Sequence, residues 1–357
     1  MTFLGYHDQV HRGGGALILN RANEALLLLR GAASRNDRGL WSQPGGAIDE
    51  GDPTPEAAVR REILEELGVD VRIKRFLTTT CHSDQDRQWL AYSYLGHVEA
   101  GQARRREPEK HESIGWFPLD QLPENLSHVT RDAVDAYQAS EGREVCAGVL
   151  VFDMDGTLLP GTTANLELAR ILGAERMVLE LERSYHAGLI DNHTYASKIL
   201  DMYGQLSADH VEDAFQRAPK LNGLRELVGW ARARGIQVAA LTTGPAFFAS
   251  KFTEHLEFDH VMGGVFPVHT GAIEMSSCNV LRDADKPERA SELCGRLGIG
   301  ANRCVVVGDS RSDLALFDTF KSSIALNWDK ILAGRARYYL KTRFAPDLIP
   351  AVAHLLR

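Results

Sequence analysis

The sequence predicts two consecutive α/β domains: a mixed α/β sandwich, and then a doubly wound parallel sheet with an inserted helical cap. Three observations lead to this prediction. The chain has 357 residues, which is longer than one hydrophobic core usually grows. Its first half contains short strand-like runs around one strongly marked helix. Its second half alternates apolar strand-like runs with helical stretches, a pattern typical of a parallel sheet covered by helices.

The elements of the first domain follow from apolar periodicity and from helix-end signals. A helix is predicted from Pro55 to Leu67, because Thr54 can cap it, proline suits the first helical position and Gly68 suits the stop. A second helix is predicted from Ser127 to Gln138 by the spacing of its apolar residues. The predicted strands are Gly15–Leu19, Ala25–Arg30, Val71–Thr78 and Trp89–Val98.

A polar stretch at residues 139–144 separates the two domains, and the apolar run Val149–Phe152 begins a new strand. The predicted domains are therefore residues 1–141 and 147–357. Residues from about 163 to 218 are predicted to be helical throughout and to form an inserted cap. Further strands are predicted at Val238–Leu241, Val305–Val307 and Ile324–Leu326.

Composition and charge restrict the class of protein. The hydrophobic fraction of 44% and the charged fraction of 25% are those of a soluble globular protein. We expect a cytoplasmic location without membrane association, since no apolar run approaches the roughly 18 residues of a membrane helix and no signal peptide is recognisable. The formal net charge of -8 disfavours a nucleic acid polymer as a partner but permits small anionic ligands. No feature of the sequence specifies an oligomeric state.

The first candidate site lies on the predicted helix from Pro55 to Leu67. Glu62, Glu65 and Glu66 are spaced i, i+3 and i+4, so three carboxylates share one face of the helix. Like charges at such a short distance repel one another. Divalent cations would remove this repulsion, and magnesium prefers hard oxygen ligands. Arg61 can pair with Glu65 one turn further on.

This helix and the loop before it resemble the Nudix box, G-x5-E-x7-R-E-U-x-E-E-x-G-U, and the resemblance covers roughly residues 12 to 138. The pattern departs in two places: the first acid is Asp52, and one additional residue separates it from Arg61. The matching residues are Gly46, Asp52, Arg61, Glu62, Ile63, Glu65, Glu66, Gly68 and Val69.

The Nudix resemblance implies an α/β/α sandwich that hydrolyses a nucleoside diphosphate linked to a further group, with magnesium neutralising the diphosphate and one carboxylate activating water. It also implies an acidic ligand from a later loop, for which Glu112 is preferred over Glu109. His111 shows no ligand spacing and is interpreted as structural. The implied roles are catalysis by Glu62 and Glu65, metal binding by Glu62, Glu65, Glu66, Gly46 and Glu112, and substrate phosphate binding by Arg61.

The second candidate site consists of polar residues at the ends of predicted strands. Asp153 and Asp155 follow the run Val149–Phe152, and acidic residues in that position emerge at the carboxyl edge of the sheet, where α/β folds bind ligands. Three further signals occupy comparable places. They are Thr242, Thr243 and Gly244 after Val238–Leu241, Lys286 before a helix, and Asp309 and Asp313 after Val305–Val307.

Together these signals resemble the four motifs of the haloacid dehalogenase (HAD) superfamily, whose core is a Rossmann-like parallel sheet. The resemblance covers about residues 147 to 357. It implies that Asp153 attacks phosphorus to form an aspartyl phosphate, with Asp155 as general acid and then general base. It implies magnesium binding by Asp153, Asp155 and Asp309 with support from Asp313, and phosphate binding by Thr243, Gly244 and Lys286.

The cap and the segment after Thr242 most resemble the phosphoserine phosphatase branch. That branch usually carries a glutamate just after the first motif, where this chain has residues 160–163, and its cap arginine has no clear match. We therefore expect a bifunctional Mg²⁺-dependent hydrolase, with Mn²⁺ as the alternative ion. It would act on nucleotides or small phosphorylated metabolites, converting a nucleoside diphosphate derivative to a monophosphate and then dephosphorylating it. The alternatives are a phosphoserine-type or other metabolite phosphatase with a regulatory or ligand-binding Nudix module, and two unrelated activities in one chain.

Overall fold

The computed structural model describes residues 10–34, 36–84, 87–139, 146–266 and 278–356. They form two compact units: the first holds residues 10–139 and 346–350, and the second holds residues 146–345 and 351–356. The predicted division lies between residues 141 and 147, and residues 140–145 are outside the described residues, so the domain boundaries stay predictions. Within the described part of the chain, no helix has the length and apolar character needed to cross a membrane.

The first unit is built on a mixed seven-stranded sheet. The strand order is β3-β2-β1-β6-β5, while β4 pairs with β1 and β7 pairs with β2. Strands β1 and β6 run parallel, and the other described pairs are antiparallel. The strands are β1 (Val10–Leu19), β2 (Glu24–Arg30), β3 (Trp41–Ser42), β4 (Gly45–Ala47), β5 (Asp70–Asp84), β6 (Arg87–Ala100) and β7 (His111–Pro118).

Two helices, α1 (Pro55–Leu67) and α2 (His128–Ala139), cover opposite faces of this sheet. Side chains alternate between the faces of a strand, so Gly14 and Leu17 of β1 point in opposite directions. A Cβ atom at Gly14 would lie 2.6 Å from Val59 Cγ2 of α1, while Leu17 packs in a cluster with Ala133 and Val134 of α2. The predicted α/β/α sandwich is confirmed.

Helix α1 has the predicted ends. The Thr54 hydroxyl accepts a hydrogen bond from Ala57 N at 3.2 Å, and Pro55 occupies the first turn. Gly68 ends the helix with φ of 68°, a left-handed conformation that favours glycine. These ends place the three glutamates in the last two turns of the helix.

The second unit is built on six parallel strands in the order β10-β9-β8-β11-β12-β13. Strand β8 is fully buried, as expected for a central strand covered by helices on both faces. The predicted doubly wound sheet is therefore confirmed. The strands are β8 (Gly148–Phe152), β9 (Ile236–Pro245), β10 (His260–Gly264), β11 (Cys304–Gly308), β12 (Ser323–Leu326) and β13 (Tyr338–Leu340).

Four helices follow β8 in the sequence, before the chain returns to the sheet, and form the predicted inserted cap. They are α3 (Ala164–Leu172), α4 (Glu175–His186), α5 (Asn192–Tyr203) and α6 (Ala208–Arg217). The remaining helices cover the sheet or end the chain. They are α7 (Leu224–Arg232), α8 (Ala246–Leu256), α9 (Lys286–Arg296), α10 (Leu314–Thr319) and α11 (Ile349–Leu355).

Candidate active sites

Polar side chains converge at the carboxyl edge of the parallel sheet. Asp153 directly follows β8, Asp309 directly follows the neighbouring strand β11, and Thr243 lies near the end of β9 on the other side of β8. The Asp153 N–H donates to Val307 O at 2.8 Å, which ties the first aspartate to the neighbouring strand. Three segments that are distant in the sequence therefore meet at one place.

Lys286 is the cationic centre of this edge. It is fully buried, and its ammonium donates to Asp153 Oδ1 at 2.7 Å, to Asp313 Oδ1 at 2.8 Å and to Ser312 Oγ at 3.2 Å. Burial alone would lower the pKa of Lys286, but the two carboxylates raise that pKa above its usual value. The lysine therefore stays charged and compensates the buried aspartates.

Asp309 is held beside Asp153 by its own contacts. Its Oδ1 accepts a hydrogen bond from Thr157 Oγ1 at 2.8 Å. A Cβ atom at Gly156, where φ is +84°, would lie 2.4 Å from Asp309 Oδ2, so only glycine fits at that position. Burial and then the charge of Asp313 raise the pKa of Asp309 to about 7.

Asp155 faces the cap. Its Oδ1 accepts a hydrogen bond from Ala164 N at 2.7 Å, where α3 begins. Burial raises the pKa of Asp155 to about 6, against the opposing effect of the Ala164 N–H, and the charge of Glu182 raises it further. A carboxyl group with a pKa near 6 can both donate and accept a proton near neutral pH.

Polar groups of the cap lie near Asp155. Asn165 donates to the Tyr195 hydroxyl at 2.9 Å and accepts from the Tyr203 hydroxyl at 2.6 Å. The Thr163 hydroxyl donates to Glu182 Oε1 at 2.5 Å. The sequence prediction did not include these residues, because their position near Asp155 depends on how the cap helices pack.

In the first unit, Glu66 is the buried glutamate of α1. Its Oε2 accepts a hydrogen bond from Gly45 N at 2.9 Å, and its Oε1 lies 3.3 Å from His111 Nε2. Glu62 is half-buried, and its carboxylate lies against Gly46, where a Cβ atom would be 2.1 Å from Glu62 Oε2. Glycine at this position therefore lets the loop approach the helix closely.

Arg61 is bound to carboxylates at the rim of the helix. It contacts Glu62 Oε1 at 2.7 Å and Glu65 Oε2 at 3.6 Å, so the expected pairing with Glu65 is present. It also donates to both oxygens of Asp52, at 3.2 and 2.9 Å. The hydrogen bonds from Arg61 and from Asp49 N lower the pKa of Asp52. Asp52 thus anchors the arginine, despite the additional residue in the loop.

Three groups of potential metal ligands occur among the described residues, each with ligand atoms within 4.8 Å of one another. One is Asp153, Asp309 and Asp313, which are three of the four aspartates predicted to support magnesium binding. The second is Glu66, Glu107 and His111, in which neither Glu107 nor His111 was predicted. The third, Glu212, Glu254 and His255, already has Lys251 as a cationic partner of both glutamates.

Comparisons with known proteins assign both units. Residues 10–137 match the model of the NUDIX domain, and residues 150–318 match the model of the haloacid dehalogenase-like hydrolases. The chain therefore joins a NUDIX domain to a haloacid dehalogenase-like hydrolase domain. The first unit is hereafter called the Nudix unit and the second the HAD unit, after the models that they match.

Relatives of each unit agree with this assignment. Phosphoserine phosphatase of Archaeoglobus fulgidus is 24% identical over 239 residues, which cover 67% of this chain and 64% of that protein. RNA pyrophosphohydrolase of Gluconacetobacter diazotrophicus is 28% identical over 142 residues, which cover 34% of this chain and 84% of that protein. This chain therefore spans less than two thirds of the first relative's length.

A solved structure supports the fold of the HAD unit. The phospho-aspartyl intermediate analogue of phosphoserine phosphatase covers 57% of this chain and 98% of its own, with a TM-score of 0.50 and 23% identity. At this identity the likeness concerns the fold alone. It agrees with the parallel sheet and the inserted cap.

The structure brings together most, but not all, of the predicted site residues. In the HAD unit, Lys286 contacts Asp153 and Asp313, and a Cβ atom at Gly244 would lie 3.0 Å from Asp155 Oδ2. In the Nudix unit, Glu112 is exposed and lies outside the group around Glu66, where Glu107 occurs instead. The proposed role of Glu112 as a ligand therefore has no supporting contact.

Proposed function

We propose that the chain is a bifunctional, divalent-metal-dependent hydrolase. The Nudix unit would cleave a nucleoside triphosphate or another nucleoside diphosphate derivative to a monophosphate. The HAD unit would dephosphorylate a phosphate monoester, in the simplest case that same monophosphate. The observation that best supports the proposal is the pair of separate carboxylate groups, one in each hydrolase unit, around Asp153 and around Glu66.

In the HAD unit, the residues suit a two-step displacement. Asp153 attacks phosphorus, the bond to the alcohol oxygen breaks, and Asp155 gives its proton to the leaving alcohol. Asp155 then removes a proton from water, which attacks the aspartyl phosphate, releases phosphate and restores the Asp153 carboxylate. Lys286 donates to Asp153 at 2.7 Å, and its charge would stabilise the transferred phosphoryl group.

Thr243 suits the phosphate-binding role that was predicted for it, whereas the N–H of Gly244 has a partner within the protein. The Gly244 N–H already donates to Thr242 Oγ1 at 2.9 Å, which leaves the side chain of Thr243 as the partly exposed hydroxyl at this turn. A threonine hydroxyl can donate to a phosphoryl oxygen.

The acidic groups fit a divalent cation. In the HAD unit, Lys286 supplies one positive charge near the three carboxylates of Asp153, Asp309 and Asp313. A divalent cation bound among these carboxylates would reduce the repulsion between them. Asp153, the Asp155 carbonyl and Asp309 would hold the ion, with Asp313 behind them. A bound ion would neutralise phosphoryl charge in both units and, in the Nudix unit, lower the pKa of water.

In the Nudix unit, Glu62, Glu65 and Glu66 of α1 would lie at the diphosphate. Glu66 is fixed by the Gly45 N–H, and Glu62 is fixed by Arg61 and by the close approach of Gly46. Such positioning favours a carboxylate as the general base for water. Arg61 would bind a substrate phosphate by exchanging one of the contacts that now occupy its donors.

A second candidate function is a phosphoserine-type phosphatase with a regulatory Nudix module. The relatives named phosphoserine phosphatase favour it. The chain has residues 160–163 where that branch usually carries a glutamate, and Thr162 among them is buried and donates to Glu167. Glu182 beside Asp155 is the nearby cap acid that could bind an ammonium group in its place.

The experiment is a screen for the release of pyrophosphate, nucleoside monophosphate and phosphate by the purified full chain with Mg²⁺, using nucleoside triphosphates, nucleoside diphosphate derivatives, monophosphates and phosphoserine. We expect Asp153→Asn to abolish monoester hydrolysis and leave the first cleavage intact, and Glu66→Gln to do the reverse. Anhydride cleavage that is unchanged in Glu66→Gln would reject the Nudix half. Monoester hydrolysis that persists in Asp153→Asn would reject the HAD half.

A further inference from the structure

A fully buried histidine, His111, points at the glutamate helix of the Nudix unit. It begins β7, and neither of its ring nitrogens forms a hydrogen bond with any residue in the described part of the chain. Nε2 is 3.3 Å from Glu66 Oε1, but the geometry is not that of a hydrogen bond. Buried polar groups normally have a partner, so this imidazole indicates a missing one.

Two carboxylates share the position that the imidazole faces. The ligand atoms of Glu66, Glu107 and His111 all lie within 4.8 Å of one another. Lys110 donates to Glu107 Oε1 at 2.7 Å, but a carboxylate has two oxygens and can bind a lysine and a metal ion together. The two glutamates and the imidazole nitrogen can therefore coordinate one cation.

The backbone holds this group together. The last turn of α1 leaves carbonyl groups without helical partners, and two of them accept hydrogen bonds from the loop: Glu66 O from Arg106 N at 2.9 Å, and Leu67 O from Arg104 N at 3.0 Å. The His111 N–H donates to Glu107 O at 3.0 Å, which closes a turn between the two side chains.

The arginine run 104–106 also has a structural role at this place. Arg105 donates to the carbonyl oxygens of His111, at 3.2 Å, and Glu112. It thereby fixes the start of β7, where His111 enters the core. The three ligands are thus positioned by contacts that need no metal ion, which is the preorganisation expected of a binding site.

We propose that Glu66, Glu107 and His111 bind one divalent transition-metal ion through a mixed set of carboxylate oxygens and imidazole nitrogen. Imidazole suits transition metals, whereas Mg²⁺ prefers oxygen ligands. The Nudix unit would therefore select a different metal from the HAD unit, whose group of three aspartates offers only oxygen. This inference rests on the proposed metal dependence of the Nudix site and names the class of its metal.

The test is pulsed electron paramagnetic resonance on the full chain loaded with Mn²⁺ alone. Mn²⁺ bound to an imidazole shows hyperfine coupling to ¹⁴N, and carboxylate oxygens produce none. We expect this coupling in the parent protein and its loss in His111→Ala. The control is His97→Ala, which removes a half-buried histidine of the same unit that contacts Leu19 O at 2.7 Å and should leave the coupling unchanged.

Because His111 is buried, His111→Gln serves as a second variant that keeps most of the side-chain volume, with folding checked by circular dichroism. The ¹⁴N hyperfine coupling should also be absent from the Mn²⁺-loaded His111→Gln variant. Coupling that is absent from the Mn²⁺-loaded parent, or that persists in the folded His111→Gln variant, overturns the proposal. In the first case, His111 would serve only as a neighbour of Glu66.

A second pair of variants tests the carboxylate. The amplitude of the ¹⁴N-coupled signal against Mn²⁺ concentration gives the dissociation constant of this site without interference from the HAD site. Glu107→Gln should raise this dissociation constant by roughly tenfold or more. Glu109→Gln removes an exposed charge in the same loop and should leave the dissociation constant unchanged. Equal effects of the two variants would reject Glu107 as a ligand.

These experiments test the proposed metal site and the proposed hydrolysis independently. If the ¹⁴N coupling is present but the full chain cleaves no diphosphate, the metal site stands and the proposed hydrolysis is wrong. If the chain cleaves diphosphates in Mg²⁺ but shows no ¹⁴N coupling with Mn²⁺, the proposed function stands and the mixed ligand set is wrong.

Discussion

The two units assemble acidic groups for similar chemistry in different ways. In the HAD unit, Asp153 and Asp309 come from the ends of neighbouring strands, and the buried Lys286 contacts Asp153 and the buried Asp313. In the Nudix unit, the glutamates come from one helix, and their main cation is Arg61 at its rim, whose side chain is 33% exposed. The first arrangement depends on several strand ends, whereas the three glutamates of the second share one helix, to which Glu107 and His111 are added from the loop before β7 and from its start.

This difference determines where the charge is balanced. A buried cation compensates buried carboxylates strongly, and its removal leaves them unpaired in a medium of low dielectric. An arginine at the rim is screened by water and contributes less. We therefore expect variants of the HAD site to affect both folding and catalysis, and variants of the rim of the Nudix site to affect mainly catalysis.

The largest effect is expected from Lys286→Met. The variant leaves Asp153 and Asp313 without their shared cation, and the loss of one partner of a buried pair costs about 3–5 kcal/mol. We expect a decrease of that size in the free energy of unfolding, measured by urea denaturation in excess chelator. Added Mg²⁺ should restore part of the lost free energy of unfolding, because a ligand that binds only the folded state stabilises the folded state.

The matched control is Lys321→Met, which removes an exposed lysine that donates to Asp318 O at 3.1 Å. Its effect should stay within about 0.5 kcal/mol. If the two variants unfolded at the same urea concentration, Lys286 would not balance the buried charge, and the contrast between the two units would be incorrect.

The second prediction concerns the glycines that touch the acidic groups. Gly156→Ala would place a Cβ atom 2.4 Å from Asp309 Oδ2, and Asp309 is short and held by Thr157, so it must shift. We expect kcat for monoester hydrolysis to fall by about 10²-fold. Gly46→Ala presses on Glu62, whose carboxylate ends a longer and more flexible chain, so diphosphate hydrolysis should fall less, by about tenfold.

Each glycine has a control in its own unit. Gly161 has φ of +78° and Gly51 has an ordinary φ, and a Cβ atom would meet no described atom within 4 Å at either position. Gly161→Ala therefore carries the same backbone cost as Gly156→Ala, about 1–2 kcal/mol, without the contact to Asp309. A loss of kcat in Gly161→Ala as large as that in Gly156→Ala would attribute the effect to backbone strain alone.

Much of this organisation could be predicted from the sequence, because the signals are local. Thr54, Pro55 and Gly68 mark the ends of α1, and the spacing of its glutamates fixes which face they share. The strand before Asp153 is a continuous apolar run, and that pattern indicates burial on both faces. The carboxyl ends of parallel strands must then meet at one edge, which places Asp153 and Asp309 together.

The residues that the sequence did not reveal depend on contacts between distant segments. His111 reaches Glu66 because the loop from Arg104 to Arg106 binds the end of α1, and no periodic pattern encodes that docking. Strand β7 was not predicted since it combines a glycine and a proline with its aromatic residues. One signal was available: Glu107 and His111 are four residues apart, the spacing of a turn that brings two ligands together.

The smallest effect is expected at the rim of the Nudix site. Asp52→Asn removes the carboxylate that accepts two hydrogen bonds from Arg61, so diphosphate hydrolysis should fall by about threefold to tenfold with little change in the free energy of unfolding. Asp49→Asn is the control, because Asp49 also reaches Arg61, at 3.4 Å, but its side chain is 70% exposed. The kinetics of both variants, measured on the full chain, decide between two interpretations of the loop with the additional residue. A larger loss in Asp52→Asn means that the insertion preserves the arginine anchor, whereas equal losses mean that Arg61 responds only to the total charge around it.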